Sequence, residues 1–351
     1  MTINKKAASL MLFLLTAITV MGCSQETATT AESSMPDMPA QAEMPMASAE
    51  PSAMAMADEG HGVMTAAEQE NLRIAEEWWR TVLMGGRLDQ AEQYMTERYI
   101  QHNPDVPTGR AGFIEFFSRF AQAGPIPEQF PPTAVKFAKG DYVVFVWERE
   151  GEDPNTGESY KYNFFDVLRM QDGRVDEHWD SVFRATPPPG APVMAITPGI
   201  GPRPVAPSNT AAEQAVEDLV NIEMKDILQY QNIDLAMQVM AEDYIQHNPN
   251  VPDGRDGFIE FFSRFANPQP IQDEWLDEPE LIITHGDIAL YIMTRYSEDP
   301  ARNNEVYKWN WFDMFRVENG MIQEHWDGAT RDGNVPPSVE PPAGFVSWSD
   351  Q

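Results

Sequence analysis

Apolar residues recur along this chain with two spacings, first a helical one and then the alternation typical of β-strands. The segments with helical spacing in the first half of the chain are 75–83, 88–95 and 113–120. The alternating segments that follow are 134–139, 142–149, 160–170 and 175–183. Helices followed by antiparallel strands predict an α+β unit whose helices cover one face of a sheet, which leaves a concave side for a pocket.

The same unit occurs twice. Residues 99–121 recur at 244–266, and twenty of the twenty-three positions are identical. The offset between the copies is 145 residues here and rises to 146 and then 147, which indicates short insertions in loops. Two copies at this spacing indicate a duplicated domain, because a solenoid needs about three or more shorter repeats. Thr108, or Asp253 in the second copy, is predicted to cap the third helix of its unit.

Flanking segments of biased composition separate the two units from the rest of the chain. Between 187 and 207, eight of twenty-one residues are proline and only Arg203 is charged, which is typical of a stiff, extended linker. The predicted organisation is a signal peptide (1–22), a tether rich in Met, Ala and Pro (23–65), domain 1 (66–186), a Pro-rich linker (187–210), domain 2 (211–332) and a Pro-rich tail (333–351).

The start of the chain has the pattern of a secretory signal. Lys5 and Lys6 precede an apolar run at 7–22, which is short for a membrane span of about 20 residues and ends at Cys23. The last four residues of this stretch resemble a bacterial lipobox, so we expect lipidation of Cys23 and a membrane anchor. Ser24 fits sorting to the outer membrane, facing the periplasm. The alternative is a plain secretory signal followed by a free thiol.

Charge and composition exclude several classes of function. With 55 acidic and 24 basic residues the net charge is −31, and it is near −33 (−31 minus 2) without Lys5 and Lys6. The electrostatic field of this negative charge repels the phosphates of DNA and RNA, so nucleic-acid binding is excluded. A single cysteine permits neither an intrachain disulfide nor a multi-cysteine metal site. Seven methionines between Met35 and Met64, near His61, allow a copper-binding tether as an alternative to a flexible spacer.

Candidate chemistry lies on the last strand of each unit. His178 and Asp180 are two residues apart on this strand and therefore point to one face, while Glu177 and the residue after His178 point to the other. The turn at 171–173 predicts a register with Asp166 opposite Asp180 and a leucine opposite His178. The second copy repeats the pattern with Asp313, Phe315, His325 and Asp327.

Two carboxylates and an imidazole in apolar surroundings disfavour ionisation of both acids. At least one aspartate pKa should therefore rise to a value suited to removing a proton next to a carbonyl group. His102, with His247 in the second copy, precedes an Asn-Pro loop and is expected to enter the same cavity and polarise the substrate oxygen. Tyr99 and Tyr244 are further hydrogen-bond donors and candidate substrate-binding residues.

Together these motifs resemble a known family. Tyr-Ile-Gln-His-Asn-Pro, Gly-Arg-x-Gly-Phe and Glu-His-Trp-Asp are similar to the SnoaL-like branch of the nuclear transport factor 2-like superfamily, over 70–184 and 215–330. The resemblance implies a cone of three helices on a curved antiparallel sheet, in a superfamily of polyketide cyclases, ketosteroid isomerases, dehydratases and non-catalytic binders. It also implies aldol chemistry without metal or cofactor, with Asp180 and Asp327 at the acid/base position.

The leading hypothesis is therefore acid/base catalysis without a cofactor on a small, apolar carbonyl compound: aldol cyclisation, isomerisation or dehydration. In two alternatives, the cavity binds a small hydrophobic ligand without catalysis, or the paired domains form a scaffold for a partner protein. Asp180 could serve only as a hydrogen-bond acceptor, and His102 only to hold its loop. A metal site of His102, His178 and Asp180 is a further alternative. The two domains could also pack as an intramolecular pseudo-dimer.

Overall fold

The computed structural model describes residues 62–184, 203–331 and 335–340. The predicted signal peptide, Cys23, His61, nearly all of the tether and most of the linker and the tail lie outside these residues. In the part of the chain that is described, no helix has the length and apolar character needed to cross a membrane.

The first unit begins with a capped helix. The Thr65 side chain accepts a hydrogen bond from the Glu68 amide, and the Glu68 carboxylate accepts one from the Thr65 amide, which forms a capping box. The elements of this unit are α1 (Ala66–Trp78), a π-helical continuation (Trp79–Met84), a 3₁₀ turn (Leu88–Gln90), α2 (Ala91–Tyr94), β1 (Met95–Gln101), α3 (Arg110–Phe117), β2 (Val135–Lys139), β3 (Tyr142–Glu152), β4 (Ser159–Gln171) and β5 (Arg174–Asp180).

The second unit repeats this order and also starts with a capping box, here formed by Thr210 and Glu213. Its elements are α4 (Ala211–Asn221), a π-helical continuation (Ile222–Gln229), a 3₁₀ turn (Ile233–Leu235), α5 (Ala236–Val239), β6 (Met240–Gln246), α6 (Arg255–Ser263), β7 (Leu281–His285), β8 (Ile288–Asp299), a 3₁₀ turn (Pro300–Arg302), β9 (Glu305–Glu318) and β10 (Met321–Asp327). The predicted α+β class in two copies is confirmed.

Each unit has one five-stranded sheet, with the orders β1-β5-β4-β3-β2 and β6-β10-β9-β8-β7. The first strand of each sheet pairs in parallel with the last, and the other neighbours are antiparallel. β1 and β6 were not predicted, so each sheet is mixed and not purely antiparallel.

The third helix of each unit has no side-chain cap, so the predicted caps are wrong. α3 follows Gly109, whose φ of 90° is in the region that favours glycine. Thr108 Oγ1 instead accepts a hydrogen bond from the Gln101 amide at 3.1 Å, at the end of β1. Asp253 accepts the equivalent bond in the second unit. These side chains therefore hold the loop that turns from the first strand to the third helix.

Both faces of each sheet are buried. On one face the helices and the sheet enclose a core that includes Trp78, Phe113 and Leu168. On the other face the two sheets pack against each other, and the rings of Phe165 and Phe312 stack with centroids 5.3 Å apart. The apolar residues shared at this interface are Val135, Phe137, Tyr142, Val144, Val146, Phe165, Val167 and Trp179 with Leu281, Ile283, Ile288, Leu290, Ile292, Phe312, Met314 and Trp326. Burial on both faces explains why the central strands are apolar almost throughout.

Candidate functional site

Three polar side chains meet inside the first unit, on the helix-covered face of the sheet. β4 and β5 pair so that Asp166 lies opposite Asp180 and Leu168 opposite His178, and this register confirms the prediction. The side chains of Asp166, His178 and Asp180 are buried, and each offers a ligand atom within 4.8 Å of the other two. This group is called the first acid cluster below.

The His178 ring is held from both sides. Its Nε2 lies 2.9 Å from Asp166 Oδ1, and its Nδ1 lies 3.0 Å from Gln101 Nε2. The side-chain oxygen of Gln101 (Oε1) accepts a hydrogen bond from the backbone N–H of Asn103 at 2.9 Å. The side-chain nitrogen of Gln101 (Nε2) therefore faces the His178 ring and donates to it. His178 therefore donates through Nε2 to Asp166, and Trp147 donates to the other oxygen of Asp166 at 2.7 Å. Asp166 has the contacts of a positioning residue.

Asp180 has one oxygen bound and one unpartnered. Asn103 Nδ2 donates to Asp180 Oδ2 at 2.7 Å. Oδ1 is buried, and no described residue forms a hydrogen bond with it. Burial raises the pKa of Asp180 to about 6, because desolvation and the charge of Asp166 outweigh the attraction of His178 and the hydrogen bond from Asn103. A carboxyl of this kind can exchange a proton with a reactant near neutral pH.

The second unit contains the equivalent group, Asp313, His325 and Asp327, called the second acid cluster below. His325 Nε2 lies 3.2 Å from Asp313 Oδ1, and Asn248 donates to Asp327 Oδ2 at 2.6 Å. Burial also raises the pKa of Asp327. For His325, burial opposes the charged ring, but the hydrogen bond with Asp313 and the charge of Asp327 raise its pKa above the usual value.

His102 does not reach the first acid cluster, so its predicted place in the cavity is wrong. Its Nε2 lies 2.8 Å from Glu177 Oε1, and its ring stacks on Trp179 with centroids 4.4 Å apart. Both partners point to the face of β5 opposite His178, so the alternative metal site with His102, His178 and Asp180 is not assembled. The same contacts are made in the second unit by His247, Glu324 and Trp326.

A buried ionic group surrounds His102 between the two units. Its centre is Glu280, which lies just before β7 of the second unit and 3.8 Å from His102 Nδ1. Lys308 Nζ lies 2.7 Å from Glu280, and these attractions hold the pKa of Glu280 at about 2 although burial alone would raise it. The neutral donors to Glu280 are Trp179, Thr294 and Asn310. At an offset of 146 the first unit has Ala134 in place of Glu280.

Both candidate tyrosines are buried beside their clusters. Gln101 donates to Tyr99 Oη at 3.0 Å, which leaves the Tyr99 proton available to another acceptor. Desolvation and the charges of Asp180 and Asp166 raise the pKa of Tyr99, so its hydroxyl stays protonated. Tyr244 is equally buried, and its pKa is also raised by desolvation.

Several residues that hold the clusters were not predicted from the sequence. They are Gln101, Asn103 and Trp147 in the first unit and Gln246, Asn248 and Trp311 in the second. The signal for two of them was present, because Tyr99, Gln101 and Asn103 alternate as they would on a strand. Recognition of β1 as a strand would have placed all three on the face of His178.

Each acid cluster could also hold a divalent cation, since one imidazole nitrogen and two carboxylate oxygens form a common donor set. A metal would have to replace the existing hydrogen bond between His178 Nε2 and Asp166, and the corresponding bond between His325 and Asp313.

Each of the two units thus places helices on one face of a five-stranded sheet and buries an Asp-His-Asp cluster between them. The sequence profile of the SnoaL-like domain matches residues 75–178 and 223–325, one match in each unit. The chain therefore belongs to the SnoaL-like domain family.

Solved structures of similar fold each correspond to one unit. A putative polyketide cyclase from Acidithiobacillus ferrooxidans is 23% identical, with 33% of this chain and 89% of that chain covered and a TM-score of 0.25. TsrD from Streptomyces laurentii is 18% identical, with coverage of 34% and 90% and a TM-score of 0.23. An NTF2-like protein of unknown function from Mesorhizobium loti is 17% identical, with coverage of 34% and 94% and a TM-score of 0.25. No curated protein matches the chain.

Proposed function

We propose that this protein is an enzyme that performs acid/base chemistry, without a cofactor, on a small and largely apolar carbonyl compound. Aldol cyclisation, isomerisation and dehydration all begin with loss of a proton next to a carbonyl group. The observation that carries the proposal is Asp180: a buried carboxyl with one oxygen held by Asn103, the other unpartnered among the described residues, and a pKa near neutrality.

In this mechanism the ionised Asp180 removes an α-proton from the carbonyl compound. The C–H bond breaks, an O–H bond forms on Asp180, and the electron pair moves to the carbonyl oxygen as an enolate. The Tyr99 hydroxyl is a protonated donor for that oxygen. In an aldol step the enolate carbon then attacks a second carbonyl carbon, and the new alkoxide takes the proton from Asp180.

His178 and Asp166 support this reaction through the placement of their side chains beside Asp180. Asp166 accepts hydrogen bonds on both oxygens, from His178 and Trp147, whereas Asp180 has one oxygen without a partner among the described residues. A charged Asp166 beside Asp180 contributes to the raised pKa of Asp180, which makes that carboxylate a stronger base.

The proposal is tested by incubating the protein with small apolar ketones and aldehydes in deuterated buffer. Incorporation of deuterium next to the carbonyl group, followed by nuclear magnetic resonance, is the expected result. Tight binding of these compounds with no exchange would contradict the catalytic proposal and favour a non-catalytic binding protein for small hydrophobic ligands.

A stability measurement separates a catalytic Asp180 from a structural one. Because its pKa is raised on folding, the native state binds a proton more tightly than the unfolded chain, and stability falls as pH rises between about 4 and 6. Asp180→Asn, which is neutral at every pH, should therefore raise the free energy of unfolding by up to about 3 kcal/mol at pH 8. Little gain is expected near pH 3.

Urea unfolding at the two pH values measures this difference, with Asp141→Asn, an exposed position at the turn before β3, as the control. Lower stability of Asp180→Asn at pH 8 would mean that the aspartate holds the fold together. That result would argue against the catalytic assignment.

We also propose that Cys23 is lipidated and anchors the protein in the cell envelope, in the outer membrane facing the periplasm. The support is the apolar run that ends at the only cysteine of the chain. Full-length protein expressed in a bacterium is expected in the detergent phase of a Triton X-114 partition, and Cys23→Ser in the aqueous phase. Wild-type protein found only in the aqueous phase would remove the anchor.

The partner of each unit is, on this proposal, the other unit. The shared apolar interface and the ionic group around Glu280 support an intramolecular pseudo-dimer. The sites themselves would bind a small carbonyl compound.

A further inference from the structure

One of the differences between the two units places an acidic residue inside the helix-covered core. At the offset of 145, Glu223 in the second unit occupies the place of Trp78 in the first. The neighbouring positions of this helical stripe stay apolar, with Val220 for Ala75 and Ile227 for Val82. Glu223 is only 1% exposed. A single acidic residue has therefore been placed in the interior of one copy.

In the first unit this position is filled by an aromatic ring. The Trp78 side chain is fully buried, and its ring centroid lies 6.4 Å from that of His178 and 6.3 Å from that of Phe113. In the second unit a smaller carboxyl replaces the indole beside the equivalent histidine. Burying a carboxyl in an apolar core is costly unless it is paired or hydrogen-bonded, so its presence requires a reason other than packing.

Glu223 has few polar contacts for a buried acid. Its Oε1 lies 3.5 Å from Tyr244 Oη, the outer limit of a hydrogen bond. Its Oε2 is buried and forms no hydrogen bond with any residue in the described ranges. Burial raises the pKa of Glu223 to about 7, and the charge of Asp313 acts in the same direction while His325 opposes it. Glu223 thus holds a proton near neutral pH and has an unpartnered oxygen.

The second acid cluster also differs from the first in which nitrogen of its histidine ring carries a proton. Gln246 Oε1 accepts the Asn248 amide at 2.8 Å and lies 2.9 Å from His325 Nδ1. A carbonyl oxygen only accepts, so Nδ1 carries a proton, and Nε2 faces the Asp313 carboxylate. These contacts favour the protonated ring, and the pKa of His325 is raised by the hydrogen bond with Asp313 and by the charge of Asp327, against the effect of burial. Burial raises the pKa of both Glu223 and Asp327, and the charge of His325 lowers it in both.

Two residues that hold the second cluster are more exposed than their counterparts in the first unit. A cleft of about 240 Å³ between the units is lined by Gln246 and Asn248, whose side chains hold His325 and Asp327. These two residues are half-buried, whereas their counterparts Gln101 and Asn103 are buried. The further residues that line the cleft are Glu148, Tyr160, Lys161, Tyr162, Asn163, His247, Pro249 and Arg331.

On the basis of the acid/base function proposed above, we propose that the second unit eliminates water from a β-hydroxycarbonyl compound, with Asp327 as base and Glu223 as acid. Asp327 takes the α-proton and the C–H electron pair forms the new C=C bond. The bond from the β-carbon to its hydroxyl breaks, and that oxygen takes the proton of Glu223 and leaves as water. Transfer of a proton from Asp327 to Glu223 through solvent then restores both residues.

The first unit has no counterpart of this acid, because Trp78 occupies its position. Both clusters can therefore remove an α-proton, whereas only the second has an acid that can protonate a leaving hydroxyl group.

The test uses the full chain with 4-hydroxy-4-phenylbutan-2-one, a small apolar β-hydroxyketone whose dehydration product absorbs in the ultraviolet. Glu223→Gln is expected to lower the elimination rate by about 10²-fold, the usual loss when a general acid is removed. The wild-type rate should fall as pH rises through about 7, where Glu223 loses its proton, and the variant should lack this decline. A merely structural Glu223 would not determine the pH profile.

The test includes two further variants, a control on the preceding helix and a second substitution of Glu223. Glu217→Gln, in α4, where Glu217 accepts hydrogen bonds from Asn209 and Thr284, should retain the wild-type rate and pH profile. Glu223→Trp, which restores the residue of the first unit, should lose elimination if it folds, as shown by circular dichroism. Deuterium exchange that depends on the aspartates, together with elimination that survives both Glu223 substitutions, would overturn this inference and leave the proposed function in place. Absence of any exchange in wild type would overturn both.

Discussion

Replacing both Asp180 and Asp327 with asparagine is expected to slow α-proton exchange by about 10²–10⁴-fold, because the reaction loses its base in both units. The exchange rate is measured in deuterated buffer with the ketone that wild type exchanges fastest. Asparagine has almost the same shape as aspartate and can keep the hydrogen bonds from Asn103 and Asn248. The double variant should therefore remain folded.

The single variants show how the activity is shared. If both clusters work, Asp180→Asn and Asp327→Asn should each retain part of the exchange. Asp141→Asn, at an exposed position, controls for the loss of one negative charge. Exchange at the wild-type rate in a folded double variant would contradict the assignment of these aspartates as bases.

Removing Glu280 is expected to lower the free energy of unfolding by about 3–5 kcal/mol at pH 7, the usual cost of breaking a buried ion pair from one side. In Glu280→Ala, Lys308 keeps a largely buried ammonium group without its carboxylate, and Trp179 loses an acceptor. The pKa of Glu280 is lowered to about 2 by Lys308 and His102 against the effect of burial, so its contribution is complete above about pH 4.5. It is lost as pH falls toward 2.

Urea unfolding of Glu280→Ala and wild type at pH 7 and pH 3 measures this effect, and the difference should be smaller at pH 3. The control is Glu148→Ala, which removes the partner of Lys161 at the corresponding edge of the first unit. Lys161 Nζ lies 2.7 Å from Glu148, but both side chains are about half exposed or more, so this change should cost less than about 1 kcal/mol. Equal losses in the two variants would contradict a special role for the buried group.

The acid cluster of each unit could be predicted because it depends on local rules. A tight turn at 171–173 sets the register of β4 against β5, and the two-residue period of a strand then brings Asp166, His178 and Asp180 together. The same rules apply to the second unit. No contact between distant parts of the chain was needed for this part of the site.

The position of His102 could not be predicted, because it depends on the path of the loop after β1. That strand was missed since its pairing with β5 is parallel and spans a long stretch of chain, and since Met95–Gln101 contains few alternating apolar residues. Stacking on Trp179 and the hydrogen bond to Glu177 then turn His102 toward the other unit. Glu223 was not predicted as a site residue, because the apolar residues around it keep a helical spacing without it.

Covalent linkage of the two packed sheets has a consequence for how this protein can diverge. In a homodimer of the same shape, each substitution would occur in both halves, so a buried acid or a buried lysine would appear on both sides of the interface. Here each half is encoded separately, so the second unit can have Glu280 where the first has Ala134, and Glu223 where the first has Trp78. The two halves of the tandem chain can therefore diverge as the subunits of a heterodimer do. Because they are covalently linked, they are always present in a 1:1 ratio, and their effective concentration does not fall on dilution.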